Sequence, residues 1–326
     1  NYMNFIAGHY AGFCYANARC NIVIGLEANY ETTSAENTIA IGRRAAKCQT
    51  TGDYNIAFGN EALRGSSTKT NNTGGNHIAI GKKAGSLSTS GSNNIFLGQC
   101  TGYNVTTGSK NIALGKDAMK AGTITGSRNI AIGENAALCL AGGFYNVMFG
   151  FNAGKCISGG GNNVVLGACA GLKNTGQSGN VFIGGSAGCN STGSCNVFIG
   201  LSAGEKQGGY HYNTYIGHKA ACDQSQGNSN VAIGFNVCLP INTGTGVSKQ
   251  LAIGHNSKQW IIGNCDYNVG IGTTNPNAPV GAGNTAKLSV GIVSAYQLYG
   301  DGSGLTGISA GFTPDDQGNL YAGTNA

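Results

Sequence analysis

The chain has 326 residues, 40% of them hydrophobic, so it is long enough and apolar enough to bury a core. Only 10% of the residues are charged and 57 are glycine, whereas four are proline, which excludes collagen and proline-rich linkers. The net charge is +6, but the 19 basic residues are scattered, with no run longer than Arg43-Arg44 and Lys82-Lys83, so the sequence predicts no nucleic-acid groove. No apolar stretch is long enough to span a membrane.

An internal repeat runs from the first residues to residue 254. Each copy has a glycine that closes an apolar triplet, and the spacing from Gly8 to Gly25 recurs in ten of the fourteen intervals between these glycines. Asn lies four positions before the glycine in twelve of the fifteen copies, and Ala lies three positions after it in twelve. The closing glycines are Gly8, Gly25, Gly42, Gly59, Gly81, Gly98, Gly115, Gly133, Gly150, Gly167, Gly184, Gly200, Gly217, Gly234 and Gly254.

A period of about 17 residues is too short for a helical-pair repeat or a propeller blade, but it fits one coil of a parallel β-solenoid, or β-roll. We therefore predict an all-β solenoid over residues 1–272, with coils of about 17 residues. Each coil is expected to hold two short strands, one at the apolar triplet and one around the Ala. Coils that stack about 4.8 Å apart would make a rod of roughly 70 Å.

The repeated Asn predicts a ladder inside the rod. Side-chain amides stacked in register can bond to one another from coil to coil, which satisfies the polar groups of the turns. The predicted ladder contains Asn21, Asn55, Asn94, Asn111, Asn129, Asn146, Asn163, Asn180, Asn196, Asn213 and Asn230.

The middle residue of each triplet predicts self-association. In a lone solenoid we expect the first and third residues to point inward and the middle one to point to water. Of the fifteen middle residues, however, only Tyr215 carries a polar group, and such a stripe needs a cover. We therefore predict a homo-oligomer, most simply a homotrimer around the rod axis, with an interface that includes Phe96, Met148, Phe182, Phe198 and Tyr215.

The rhythm of the repeat changes after Gly254. Residues 286–300 alternate as a strand does, and residues 300–307 form a glycine-rich turn. We interpret residues 273–318 as a compact β connector, or collar. Residues 319–326 repeat the phrase that starts at Asn4, which predicts the start of a following solenoid module.

The twelve cysteines recur at fixed phases of the repeat, so they occupy structural positions. One interpretation is that they are small buried hydrophobic residues. The other is that they pair, because a spacing of about 4.8 Å between coils lies within the Cα separation of disulfides. The candidate pairs are Cys14–Cys20, Cys189–Cys195 and Cys139–Cys156.

The sequence predicts no catalytic, cofactor-binding or metal-binding residues. It contains no C-x-x-C, no pair of histidines at ligand spacing and no phosphate-binding loop. Only Glu31 with Glu36, or Asp315 with Asp316, offer carboxylate pairs of the kind that glycosidases use, and nothing converges on either pair. We therefore expect that the chain is not an enzyme.

Two phrases carry a resemblance to known families. The run Asn129-Ile-Ala-Ile-Gly-Glu-Asn-Ala136 resembles the head repeat of bacterial trimeric autotransporter adhesins, whose coils are typically shorter, and this implies a left-handed parallel β-roll trimer. Nearly the whole chain is more similar to tail-fibre and virion structural proteins of marine bacteriophages, particularly those that infect cyanobacteria. There, similar coils are followed by phrases like those at 268–276 and 298–308.

The resemblance implies a non-enzymatic structural fibre, most simply a phage tail fibre in the virion, that holds receptor-contacting loops toward the host surface. Its expected partners are further copies of itself and a polysaccharide or protein receptor on the host cell, with no nucleic acid and no membrane insertion. Many weak loop contacts would add up by avidity. The alternative is a cellular trimeric adhesin or a secreted extracellular filament.

Overall fold

The computed structural model describes residues 3–66, 72–223, 226–239, 247–256, 258–265 and 269–271, and the backbone of 312–314 and 320–322. The chain divides into two units, Asn1–Ala286 and Lys287–Ala326. The first is an all-β parallel solenoid of about 14 turns, which confirms the predicted solenoid and its coils of about 17 residues. No helix occurs among the described residues.

Each coil contributes one strand, the apolar triplet. The strand ends at the closing glycine because Gly25 and its equivalents adopt φ near +131°, and a Cβ at Gly25 would lie 2.7 Å from the carbonyl oxygen of Gly42 in the next coil. The strands are β1 (Phe5–Ala7), β2 (Ile22–Ile24), β3 (Ile39–Ile41), β4 (Ile56–Phe58), β5 (Ile78–Ile80), β6 (Ile95–Leu97), β7 (Ile112–Leu114), β8 (Ile130–Ile132), β9 (Val147–Phe149), β10 (Val164–Leu166), β11 (Val181–Ile183), β12 (Val197–Ile199), β13 (Thr214–Ile216), β14 (Val231–Ile233) and β15 (Leu251–His255).

Consecutive strands pair in parallel, and equivalent residues lie opposite each other. Phe182 of β11 is opposite Phe198 of β12, which is opposite Tyr215 of β13. The same register holds from β4 to β5, whose equivalent residues are 22 positions apart in the chain, and from β11 to β12, where they are 16 positions apart. Extra or missing residues are therefore absorbed by the turns.

The middle residue of each triplet points into the coil, which is the opposite of the predicted orientation. In β2 to β15 the middle residue is fully buried within the single chain, whereas the first and third residues are half-buried or exposed. The prediction that the middle residues form the oligomer interface is therefore wrong. The residues concerned, which fill the solenoid interior, are Phe96, Met148, Phe182, Phe198 and Tyr215.

The interior is narrow because the opposite wall of each coil is built from turns. Residues two and four positions after the closing glycine adopt positive φ, as Glu27 (φ 53°) and Asn29 (φ 50°) do, so this segment is not the predicted second strand. Ala28 between them is buried. One inward side chain per triplet fills the remaining space, and strand alternation then places the other two apolar residues outside.

The parallel stack ends at β15, inside the range 1–272 that was predicted as solenoid. Strands β16 (Lys258–Gly263) and β17 (Val269–Ile271) continue the sheet in antiparallel pairing. In the second unit, β18 (Phe312–Pro314) pairs with β19 (Leu320–Ala322), also antiparallel. The rest of the predicted connector 273–318 and of the predicted following module 319–326 lies outside the described residues.

Candidate interaction surfaces

The Asn residues that precede the triplets form a buried column along the rod. The side-chain oxygen of each accepts a hydrogen bond from the backbone N–H of the equivalent residue in the next coil: Asn163 N–H donates to Asn146 Oδ1 at 3.1 Å, and Asn180 N–H donates to Asn163 Oδ1 at 3.0 Å. This relation runs through every coil from Asn55 to Gln250. All eleven asparagines of the predicted ladder lie in the column and are buried.

The amide nitrogens of this column bond mainly to backbone. Asn163 Nδ2 donates to the carbonyl oxygen of Gln177 at 2.9 Å, and Asn146 Nδ2 donates to that of Gly160 at 2.8 Å. Direct bonds between amide side chains occur in some coils, as from Asn163 Nδ2 to Asn146 Oδ1 at 2.9 Å. Each Asn therefore pairs one buried N–H and one buried C=O that a turn leaves without a backbone partner.

One coil replaces this Asn with a titratable residue, His77. Its side chain is fully buried, and its Nδ1 accepts a hydrogen bond from Asn94 N–H at 3.3 Å. Burial lowers the pKa of His77 to about 4, although hydrogen bonds to the backbone of Gly91 and Asn94 act in the opposite direction. His77 thus takes the place of an amide in its neutral form.

The first and third residues of the triplets in β1 to β15 form what we call the outer apolar face. Of these thirty residues only Thr214 is polar and none is charged. Ile80, Phe58 and Phe149 expose 41%, 52% and 54% of their surface. Fifteen strands about 4.8 Å apart, each about 10 Å wide, give this face an area of about 700 Å². Soluble monomers rarely expose apolar patches of this size. A stripe that needs a cover is therefore present, but it consists of the first and third residues of each triplet and not of the middle residue.

Several ion pairs lie on the turn side of the coils. Glu27 accepts hydrogen bonds from Lys47 Nζ at 2.6 Å and from Arg44 Nε at 2.9 Å. These bonds, Lys47 first, lower the pKa of the Glu27 carboxyl group. Similar pairs join Lys120 to Asp117 and Lys206 to Asp223.

The eleven cysteines from Cys14 to Cys238 carry free thiols in the structure. The backbone N–H of Cys139 donates to the carbonyl oxygen of Lys155 at 2.9 Å, which places Cys139 opposite Cys156 in the next coil. Burial and the neighbouring Cys156 raise the pKa of the Cys139 thiol. Burial raises the pKa of Cys189 as well, with a further contribution from Cys169.

The other two candidate pairs join thiols that belong to a single coil. Cys14 and Cys20 are both exposed, and so is Cys195, whereas Cys189 is half-buried. The Sγ atom of Cys195 lies 4.0 Å from the carbonyl oxygen of Ser178 in the preceding coil. The arrangement of Cys139 and Cys156 on adjacent coils is thus the one that the geometry singles out for an oxidation experiment.

The carboxylates that were considered as a catalytic pair have structural partners. Glu36 pairs with Arg19 at 2.6 Å. Glu31 lies beside the Cys48 thiol, and the pKa of this thiol is raised to about 11 by burial and by the Glu31 carboxylate. Asp315 and Asp316 lie outside the described residues. Within the part of the chain that the structure describes, no three His, Cys, Asp or Glu side chains are grouped as a metal site would require, and no helix has the length and apolar character of a membrane span.

Sequence reasoning missed the outer apolar face because it placed the middle residue of each triplet on the outside and the first and third residues on the inside. A pattern in the sequence shows that the middle residue is the one that points inward. Coils with a large middle residue tend to have Gly four positions after the closing glycine, as in Phe198 with Gly204, whereas Ala113 goes with Met119. When a large side chain at one position goes with a small one at the other, the two positions fill the same interior space.

The chain matches no protein-family model, no curated protein and no solved structure.

Proposed function

We propose that this protein is a non-enzymatic structural rod that self-associates through its outer apolar face, most simply as a homotrimer, and that serves as a phage tail fibre. In this role it belongs to the virion and presents its turns to the host cell surface, where a polysaccharide or a protein is the receptor. The observation that carries the proposal is the outer apolar face, thirty residues with one hydroxyl and no charge.

The size of this face supports self-association. Specific interfaces bury about 800 Å² per partner, and the outer apolar face offers about 700 Å² before its margins are counted. A copy of the same chain is the partner that fits, because its own face has the same length, the same spacing between strands and the same lack of charge. Burial of one face would contribute on the order of 15 kcal/mol before the costs of association.

The experiment that tests self-association measures the mass of the purified chain by light scattering. We expect three chains for the wild type, and one chain for the double variant Ile80→Lys/Phe149→Lys, which places two charges on the outer apolar face. The control is Gln99→Lys/Thr123→Lys, which adds the same charges at two exposed polar positions outside that face and should keep the wild-type mass. A monomeric wild type would overturn self-association, and a stable pair would replace the trimer by a dimer.

A second candidate is a trimeric surface adhesin or a secreted filament, which the resemblance of residues 129–136 to adhesin head repeats favours. Immunogold electron microscopy with an antibody against this chain separates the two roles. Label on the tails of virus particles supports the tail fibre. Label on the surface of uninfected cells, with none on particles, supports the adhesin and overturns the phage assignment.

A further inference from the structure

The positive charge of this protein is concentrated in one stretch of the solenoid. Residues 43–120 contain ten Lys and Arg against three Asp and Glu, a net charge of +7. The rest of the chain contains nine against ten, a net charge of −1. About a quarter of the chain therefore holds all of its excess positive charge.

Within this stretch, the residue that follows each closing glycine forms a straight row, which we call the corner row. It consists of Arg43, Asn60, Lys82, Gln99 and Lys116 in five consecutive coils. Hydrogen bonds between coils fix their alignment: the carbonyl oxygen of each accepts from the next coil at 2.8 to 3.1 Å. Cations thus alternate with amides, and successive cations lie two coils, or roughly 10 Å, apart.

The cations of the corner row are available to a ligand. Arg43, Lys82 and Lys116 are exposed, and among the described residues neither Arg43 nor Lys82 has a carboxylate within ion-pair distance. Lys116 has only a partner that is itself half exposed, Glu134 at 3.6 Å, and such surface pairs contribute little.

The nearby carboxylates are occupied by the adjacent row of cations. Glu27 pairs with Arg44 and Lys47, and Glu61 lies 3.9 Å from Lys83 and 4.0 Å from Arg64. The molecule thus neutralises the cations on its turn side, whereas in the corner row Lys116 has only Glu134, and Arg43 and Lys82 have no carboxylate partner among the described residues. Cations that only kept the protein soluble would not need to be divided into a row that is paired with carboxylates and a row that is exposed.

We infer that the corner row binds a linear acidic polysaccharide whose negative charges recur once in every two sugar units. An extended sugar unit advances by about the rise of one coil, so such a chain lying along the rod places one carboxylate or sulfate at each cation. The amides of Asn60 and Gln99 then face the intervening neutral sugars, to whose hydroxyl groups they can donate and from which they can accept. Single-stranded nucleic acid fits less well, because its charges are closer together and the row has no aromatic side chain on which bases stack.

This inference adds a ligand class to the surface contact proposed above, and only its biological setting rests on that proposal. The probe is hyaluronan, which carries one carboxylate per disaccharide, measured by surface plasmon resonance on the purified chain at low ionic strength. Dextran serves as the neutral polymer and single-stranded oligothymidine as the alternative polyanion. We expect hyaluronan to bind, to weaken as salt is added, and to bind more tightly than oligothymidine at the same charge concentration.

The decisive variant is Arg43→Gln/Lys82→Gln/Lys116→Gln, which we expect to weaken hyaluronan binding at least tenfold. Its matched control is Lys173→Gln/Lys219→Gln/Lys249→Gln, which removes three exposed lysines outside the stretch and should change binding less than twofold. Equal losses in the two variants would reduce the effect to net charge and overturn the inference, as would stronger binding of oligothymidine or no binding of hyaluronan. Light scattering on the same samples reports assembly separately, so a failure here is distinct from a failure of the proposed rod.

Discussion

A Cβ atom added to Gly102 would lie 2.2 Å from Cδ1 of Phe96, the inward residue of the same coil. The same complementarity recurs in several coils: most large inward residues face glycine, and the inward Ala57 and Ala113 face large residues. Gly85 extends the rule to the preceding coil, because a Cβ there would lie 2.6 Å from Cδ2 of Phe96. The pairs are Phe96 with Gly102, Met148 with Gly154, Phe182 with Gly188 and Phe198 with Gly204, against Ala57 with Leu63 and Ala113 with Met119.

The variant Gly102→Ala should be destabilised by about 1–3 kcal/mol because the added methyl group overpacks the interior, and the positive φ of 60° adds strain. The double variant Phe96→Ala/Gly102→Leu, which copies the pair Ala57 with Leu63, should recover part of what Phe96→Ala alone loses. Urea unfolding measures all three. Strictly additive effects would show that the two positions do not share a space.

The variant Phe198→Glu should unfold its coil, rather than only separate the subunits of an assembly. Phe198 is fully buried between Phe182 and Tyr215, with ring centroids at 5.2 Å and 4.8 Å, and an ionised carboxylate there has no partner. Circular dichroism should show lost β structure or an unfolding midpoint lowered by tens of degrees. A well-folded monomer with the wild-type melting temperature would contradict the inward orientation.

The variant Asn163→Ala should cost about 2–4 kcal/mol, since it leaves the buried N–H of Asn180 and the half-buried carbonyl of Gln177 without these partners. Gln99→Ala, at an exposed position outside the ladder, is the control and should change the free energy of unfolding by less than about 0.5 kcal/mol. Urea denaturation checks both. Equal effects in the two variants would mean that the ladder contributes no more than a surface amide.

His77 predicts an acid sensitivity that one substitution removes. Because its pKa is lowered from 6.5 to about 4 in the folded state, the stability that it contributes is complete above pH 6.5 and is lost as the pH falls from 6.5 to 4. At lower pH the loss amounts to about 3 kcal/mol, because the protonated ring would carry a charge in a fully buried position.

The comparison that isolates this effect is His77→Asn, which restores the ladder residue found in most coils. Carboxylates titrate in both proteins, so the difference between their melting temperatures across pH 4 to 7 reports the histidine alone. We expect the difference to grow as the pH falls. A difference that is constant with pH would rule out the buried neutral histidine.

Oxidation should join Cys139 to Cys156. Incubation with oxidised glutathione transfers two electrons and two protons from the two thiols to the reagent, which is released as two molecules of reduced glutathione. Peptide mass spectrometry should find the crosslinked peptide, and Cys156→Ser should lose it. A stable mixed disulfide with glutathione at Cys139, with no crosslink in the wild type, would show that the two thiols cannot reach each other.

The period and the parallel stack were predictable because Gly and Asn are required by geometry at fixed positions. Gly25 and its equivalents need a φ that other residues avoid, and a buried turn needs the amide of Asn163. Both requirements are local, so they appear directly in the sequence as a repeat.

Which residues of the triplet face the interior was not predictable from the triplet alone. All three residues are apolar, so there is no alternation of polar and apolar residues to distinguish the two faces of the strand. The second strand was wrong for a related reason. Residues such as Glu27 and Arg44 occupy the left-handed region without being Gly or Asn, so composition does not reveal the turns that narrow the interior. The corner row escaped notice because each of its members belongs to a different coil, so they are far apart in the sequence and meet only in the stack.

The register stays constant although equivalent residues of neighbouring coils can be 16, 20 or 22 positions apart. The spacing between coils is therefore set independently of the length of the coil. The segment from the ladder Asn to the buried Ala sets the pitch, and the remaining turn is free to change in length and composition. Foreign peptides spliced into such a turn should leave the pitch untouched, so the rod offers evenly spaced display positions whose separation is counted in whole coils.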